Sequence, residues 1–143
     1  MKVYNLTKAY VQRINQLSDG YLKVCLEDIQ NLEDYPYLLI IQSTIENSIK
    51  ISIYPLKKDK IVKVTFSSID FSEEIYELIT KILQNFQVIH TSGVLLIGKK
   101  LYYECYLNLS FDEIKVMNLK NSLDRVKNVF KKINIEEIGL IKN

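Results

Sequence analysis

Residues 92–109 read SGVLLIGKKLYYECYLNL, and this stretch predicts a β-hairpin. After the Gly98-Lys99-Lys100 step, apolar residues alternate with polar or tyrosine residues, which is the period of a strand. Gly98 suits the positive φ of a tight hairpin turn. The step is not a phosphate-binding loop, because that motif needs a Ser or Thr after the lysine and then a helix. One face of the second strand is predicted to carry Leu101, Tyr103, Cys105, Leu107 and Leu109, and the other Tyr102, Glu104, Tyr106 and Asn108.

The residues before this hairpin predict a strand followed by an amphipathic helix. Val62, Val64 and Phe66 alternate with polar residues and form the inward face of the strand. Asp70 with Glu73 is a capping-box variant that predicts the start of the helix. The apolar stripe of this helix is Phe71, Ile75, Leu78, Ile79, Ile82, Leu83 and Phe86.

A second helix is predicted after the hairpin. Ser110 and Glu113 form another capping pattern, and the helix is expected to begin at Phe111, to bend or break near Asn118 and to extend to Lys132. Residues 133–141 fit either a last strand or a helix end with a tail. The fold class is therefore α+β: an antiparallel sheet with both helices on one face, in a split β-α-β-β-α(-β) unit at 60–141.

The first 58 residues predict a helix and a separate β-hairpin. The helix would bury Leu6, Tyr10, Ile14 and Leu17, and Gly20 is a plausible stop. The hairpin would join the apolar run 37–43 to the alternating run 49–53 through a turn at 46–48. Residues 57–60, KKDK, are the most polar connecting segment and the best candidate for a domain boundary. We therefore expect an extension at 1–58 and a domain at 59–143, or else one continuous domain.

Composition limits the function classes. A chain of 143 residues with 48% apolar residues can bury one core, and a net charge of +2 does not by itself indicate nucleic acid. Cys25 and Cys105 lie in no metal-binding spacing and are expected to be free, buried thiols. Neither a signal peptide nor a membrane span is evident, so we expect a cytoplasmic protein without membrane association.

Catalytic and cofactor chemistry find little support in the sequence. His90 is the only histidine, and no partner at a fixed spacing stands beside it to orient it for acid–base work. We expect it to be structural or exposed. We therefore predict no catalytic residues, no metal site and no cofactor.

A run of basic residues in the C-terminal part is the strongest candidate for a partner surface. Bases at a helix C-terminus suit the helix dipole, and attraction to the acidic preceding helix adds to that. The net positive charge of residues 115–132 nevertheless exceeds what helix capping needs, since Asp124 is the only acidic residue in this segment. We expect tRNA or an acidic partner at Lys115, Lys120, Arg125, Lys127, Lys131 and Lys132.

Tyr102 and Tyr106 are predicted on the sheet face away from the helices. Exposed aromatics on an open sheet can stack bases, but the spacing of RNA-binding sheet motifs is absent. It is simpler to expect that the N-terminal hairpin or a second subunit covers this face, because an exposed apolar sheet face promotes aggregation. The two tyrosines are therefore candidates for an interface.

Residues 60–133 resemble the small dimerisation subunit of the KEOPS complex, which makes threonylcarbamoyl-adenosine in tRNA. The similar segments are VKVTFSSIDFSEEIYELI at 62–79, LLIGKKLYYECYLNL at 95–109 and IKVMNLKNSLDRVKNVF at 114–130. Lys115 stands where the family has an arginine. The resemblance implies a non-catalytic subunit that forms a homo- or heterodimer, joins protein partners in a larger complex and leaves the chemistry to another subunit.

The element order is also similar to that of ACT domains, which bind amino acids at subunit interfaces. In that alternative the loop between the first strand and the helix would form the ligand site, through Ser67, Ser68 and Asp70. The chain would then be a small-molecule sensor rather than an association subunit.

Overall fold

The computed structural model describes most of the chain after residue 28. The described residues are 9, 11, 13, 21, 24, 26, 27, 29–68, 70, 72–109 and 112–141. The chain forms two compact units, Met1–Leu32 and Glu33–Asn143. The predicted N-terminal helix and Cys25 lie outside the described residues.

The second unit contains two antiparallel sheets and two helices. Its elements are β1 (Tyr37–Ile45), β2 (Ser48–Leu56), β3 (Ile61–Ser68), α1 (Glu73–Leu83), β4 (Gln87–Ile97), β5 (Lys100–Asn108), α2 (Glu113–Asp124) and β6 (Lys132–Ile138), and a 3-10 turn at Leu32–Asp34 precedes them. β1 and β2 form one sheet, and the other has the order β4-β5-β3-β6. The α+β prediction and the split β-α-β-β-α-β order are confirmed, and β6 decides the open question at 133–141 in favour of a strand.

The quoted stretch is a hairpin, as the alternation predicts. Ile97 pairs with Lys100, so the loop has two residues, Gly98 and Lys99, and Gly98 has a φ of 67°. A residue with a side chain would be strained at this φ, which explains the glycine. β5 buries every second residue: Leu101, Tyr103, Cys105 and Leu107.

The helices cover one face of the four-stranded sheet. Val64 and Phe66 of β3 are completely buried there, together with Ile79 of α1 and Leu119 of α2. Removal of these side chains from water supplies the main stabilisation of the unit.

Both helices begin at caps that differ from the predicted ones. Ser72 caps α1, and its hydroxyl accepts a hydrogen bond from the backbone N–H of Ile75 at 3.2 Å. Asp112 caps α2 and accepts from the N–H of Ile114 at 2.9 Å. An N-cap side chain reaches only the second or third N–H of its helix, so Asp70 stands too early in the chain for this role.

The second predicted helix is shorter than its apolar pattern indicates. α2 ends at Asp124, and tight turns follow it. In these turns the N–H of Val126 donates a hydrogen bond to the carbonyl of Leu123, and the N–H of Val129 donates one to the carbonyl of Val126. These turns keep Val126 and Phe130 buried without continuing the α-helix. The prediction that one helix carries the basic residues as far as Lys132 is therefore wrong.

The β1–β2 hairpin packs on the sheet face opposite the helices. Leu39 and Ile41 of β1 form a second buried cluster with Ile61, against Tyr106 and Ile89 of the sheet. The inner face of the hairpin is therefore buried against the four-stranded sheet, and both belong to the unit Glu33–Asn143.

Two neighbouring isoleucines of β1 provide a matched test of this packing. Ile41, which is 7% exposed, faces the sheet, whereas Ile40, 52% exposed, faces outward. We expect Ile41→Ala to lower the free energy of unfolding by about 2–5 kcal/mol, because it leaves a cavity. Ile40→Ala should change it by about 0.5 kcal/mol. Urea unfolding measures both, and equal losses would contradict the docked hairpin.

Candidate interaction surfaces

Four of the predicted basic residues converge around one cleft of about 510 Å³. Lys120 lies on α2, Lys127 in the turn after it, Lys131 just before β6 and Lys132 at the first residue of β6. The chain reverses direction after α2, and this reversal brings positions that are distant in sequence to one place. We call the cleft lined by these lysines the basic cleft.

The floor of the basic cleft is apolar. Leu123 and Phe130 are buried in the core, and Ile133 is partly buried. Ile135 remains 42% exposed. The basic cleft therefore combines a rim of cations with a floor that favours aliphatic groups, and the sequence pattern of lysines alone does not reveal this floor.

The charge of the basic cleft is not neutralised from within. Asp124 is the only acidic residue in its lining. Within the part of the chain that the structure describes, Lys120, Lys127, Lys131 and Lys132 make no ion pair. The positive potential is thus directed at solvent, where it attracts anions.

The two remaining basic candidates lie elsewhere. Lys115 and Arg125 line a second cleft of about 360 Å³ with Asn118, Asn121 and Asn85. Helical spacing explains the separation, because positions 115, 118 and 125 share one face of α2 and its C-terminal end. The six predicted residues therefore form two surfaces rather than one.

The two predicted interface tyrosines have different environments. Tyr106 contacts the β1–β2 hairpin. The His90 ring lies 6.0 Å from the Tyr106 ring and 5.6 Å from that of Tyr54, measured between centroids. A hydrogen bond of 2.6 Å joins the Tyr54 hydroxyl to His90 Nδ1. His90 therefore links the hairpin to the sheet, which is a structural role.

Tyr102 is partly exposed near the other end of the same sheet face. Leu95 stands opposite it on β4, and Ile97 follows on the same side. These two residues are 50% and 65% exposed, respectively. We call Leu95, Ile97 and Tyr102 the tip patch. It is an apolar surface beside the β4–β5 turn, and of its three residues the sequence pattern indicates only Tyr102 as an interface candidate.

An ion pair separates the tip patch from the hairpin. Lys63 Nζ lies 3.2 Å from Glu104 Oε2 and 5.6 Å from the centre of the Tyr106 ring. Burial acts to lower the pKa of Lys63, but the hydrogen bond to Glu104 and the nearby acidic groups outweigh it, so the pKa is raised. Lys63 is thus held as a cation on this face.

The predicted ligand loop is partly occupied by internal contacts. The Ser67 hydroxyl donates a hydrogen bond of 3.3 Å to the backbone carbonyl of Lys132. Ser68 is the last residue of β3, and Asp70 is exposed before α1. Ser67 therefore helps to join β3 to β6.

Of the residues with described positions, no three His, Cys, Asp or Glu side chains are grouped so that they could hold a metal ion. In that part of the chain, no helix is long and apolar enough to cross a membrane.

Comparison with known proteins gives little further information. No protein-family model matches the sequence, and no curated protein matches it either. One solved structure with detectable similarity is a formyltetrahydrofolate deformylase from Pseudomonas putida KT2440, with 9% identity and a TM-score of 0.39. The match covers 57% of this chain and 28% of that protein. This likeness is too weak to support a statement about function.

Cys105 is a free thiol that lies buried on β5. Burial raises the pKa of this thiol to about 12, and a hydrogen bond with the Val64 backbone offsets a small part of the effect. In a Cys25→Ser variant, Cys105 should therefore react with a thiol reagent at pH 8 only after unfolding by urea. Rapid modification of the native protein would contradict the burial.

The same thiol should affect stability at high pH. The unfolded thiol ionises near its ordinary value of 9.0, so the unfolded state loses the proton first, and stability falls as the pH rises from 9 towards 12. The decrease measured by urea unfolding between pH 8 and pH 10.5 should be smaller in Cys105→Ala than in the parent.

Proposed function

We propose that this chain is a non-catalytic association module whose basic cleft holds an anionic partner. The observation that supports this most directly is the convergence of Lys120, Lys127, Lys131 and Lys132 around one cleft that contains a single acidic residue. Like charges held together reduce stability unless something compensates for them. An anionic partner, either tRNA or an acidic protein, would remove this cost on binding.

The tip patch supplies a second surface for association. Leu95, Ile97 and Tyr102 combine aliphatic and aromatic area, and such surfaces are typical of protein interfaces. In the proposal this patch contacts another protein or a second copy of the chain, so the module joins a protein at one end of the sheet to an anion at the cleft.

The resemblance of residues 60–133 to the KEOPS dimerisation subunit agrees with this role. If the chain acts as such a subunit does, it organises a larger complex in tRNA modification and another subunit carries out the chemistry. The proposed setting is the cytoplasm, since a buried, unpaired thiol such as Cys105 suits a reducing compartment.

Charge reversal in the basic cleft tests the proposal. The triple variant Lys127→Glu, Lys131→Glu, Lys132→Glu should lose binding to total tRNA and to poly-L-glutamate, measured by fluorescence anisotropy. In the parent, that binding should weaken steeply with added salt, because it releases counterions.

The matched control is Lys50→Glu, Lys99→Glu, Lys100→Glu. It makes the same change in net charge at exposed lysines outside the basic cleft. Equal loss of binding in both triples would show that overall charge, rather than the cleft, is responsible. If neither tRNA nor poly-L-glutamate binds the parent, the proposed function is refuted.

A small-molecule sensor of the ACT type is the second candidate. The observation that favours it is β6, because this strand completes the β-α-β-β-α-β order of ferredoxin-like folds. The two candidates differ in what they bind, since a sensor needs a free amino acid and an association module does not.

A thermal-shift screen separates these candidates. For an association module we expect none of the twenty amino acids to change the melting temperature. A sensor would be stabilised according to RT ln(1 + [L]/Kd). A reproducible rise with one amino acid, abolished by Ser67→Ala, would favour the sensor over the association module.

A further inference from the structure

We infer that the basic cleft accepts an extended acidic segment of a partner protein, in which acidic residues alternate with aliphatic ones, as an added strand on the edge of β6. This inference rests on the proposed function and specifies its anionic partner. Three features of the cleft carry it: a free strand edge, an aliphatic floor and a cationic rim.

The strand edge is the first feature. β6 lies at the end of the order β4-β5-β3-β6, and among the described strands it pairs with β3 alone. The other edge of β6 therefore presents backbone N–H and C=O groups that a further strand can bind. Peptides commonly bind proteins by adding a strand to such an edge, where the backbone gives affinity and alternate side chains give specificity.

The aliphatic floor is the second feature. Ile133 and Ile135 stand opposite Phe66 and Val64, so both lie on the helix-covered side of the sheet. Ile135 nevertheless keeps 42% of its surface exposed, because no described element covers it at this edge. An added strand would place every second side chain on this side, and aliphatic residues there would bury the exposed part of Ile135.

The cationic rim is the third feature, and it is unevenly distributed along β6. Lys131 and Lys132 stand at the start of β6, and Lys132 alternates with Ile133 and Ile135, so it lies on the side of the sheet that would receive the acidic residues of an alternating segment. Towards the other end, Glu137 already pairs with Lys60 at 3.3 Å. An acidic segment therefore complements the first half of the strand, and an acidic residue opposite Glu136, on the same side as Lys132, would be repelled.

The lining of the cleft favours a peptide over RNA. Single-stranded RNA is typically held by exposed aromatic rings that stack its bases. Phe130 is the one aromatic residue in the lining, and it is buried. Lysines alone can hold phosphates of any sequence, but that mode leaves the aliphatic floor unused.

The experiment uses three peptides of eight residues and the full chain. The Glu-Val probe alternates Glu with Val in one half and Thr with Val in the other; the Glu-Ser control has Ser in place of each Val, and the Lys-Val control has Lys in place of each Glu. Fluorescence anisotropy measures affinity, and hydrogen exchange read by mass spectrometry measures protection of the β6 amides, Lys132–Ile138.

We expect the Glu-Val peptide to bind at least about tenfold more tightly than the Glu-Ser peptide, and the Lys-Val peptide not to bind. Binding should slow exchange in β6. The variants Lys131→Gln with Lys132→Gln, and separately Ile135→Ser, should each weaken binding of the Glu-Val peptide by about tenfold or more. Lys99→Gln with Lys100→Gln is the control that should bind normally, and an unchanged urea unfolding curve verifies that each variant is folded.

Four results would overturn the inference. Equal affinity for the Glu-Val and Glu-Ser peptides would show that the floor is not used. Unchanged exchange in β6 on binding would exclude strand addition. Tighter binding of tRNA than of the Glu-Val peptide, lost on substitution of Lys131 and Lys132, would identify RNA as the occupant and would leave the proposed function intact. If neither tRNA nor any acidic peptide binds, the inference and the proposed function both fail.

Discussion

The contact between Phe66 and Phe130 is the interaction on which the candidate site depends. Phe66 is fully buried on β3. The centre of its ring lies 5.1 Å from the centre of the Phe130 ring and 6.3 Å from that of the Tyr103 ring. Phe130 stands between the turns that follow α2 and the start of β6. Its burial fixes the path of the chain here, and this path brings Lys127 and Lys131 to the same cleft as Lys120.

On the sheet face opposite the helices, the β1–β2 hairpin covers one part of the surface and leaves another part available for contact. The β1–β2 hairpin buries its inner face on the sheet near Tyr106, and the hydrogen bond between Tyr54 and His90 supports this contact. The hairpin does not extend over the tip patch, where Leu95 and Ile97 remain exposed. A two-stranded hairpin is only marginally stable alone, so this packing serves the hairpin as much as the sheet.

Local periodicity was sufficient to predict most of the elements. Alternation along β5 identified its buried residues, and helical spacing identified the buried side of α1. The same periodicity failed after Asp124, because Val126 and Phe130 stand at helical spacing and yet are buried by tight turns. A spacing of three or four residues fits both geometries, so the sequence alone cannot place the end of α2.

The basic cleft was only partly predictable for a related reason. The excess of lysine was visible in the sequence, but the convergence of Lys120 with Lys127, Lys131 and Lys132 around one cleft depends on the chain reversal. The contribution of Ile135 depends on β6 being an edge strand, which is a property of the sheet order rather than of any local pattern. Contacts between distant segments decide both, and no window along the chain contains them.

The edge position of β6 and the lysine rim act together against unspecific association. A free strand edge pairs readily with other chains, and proteins commonly protect such edges with charge. Lys131 and Lys132 repel a strand that carries basic residues, and Glu136 and Glu137 repel a strand that is acidic along its whole length. The edge is therefore closed to most sequences and remains open to a segment that is acidic where β6 begins. In the proposed strand addition, the charges that protect the edge would also select the partner.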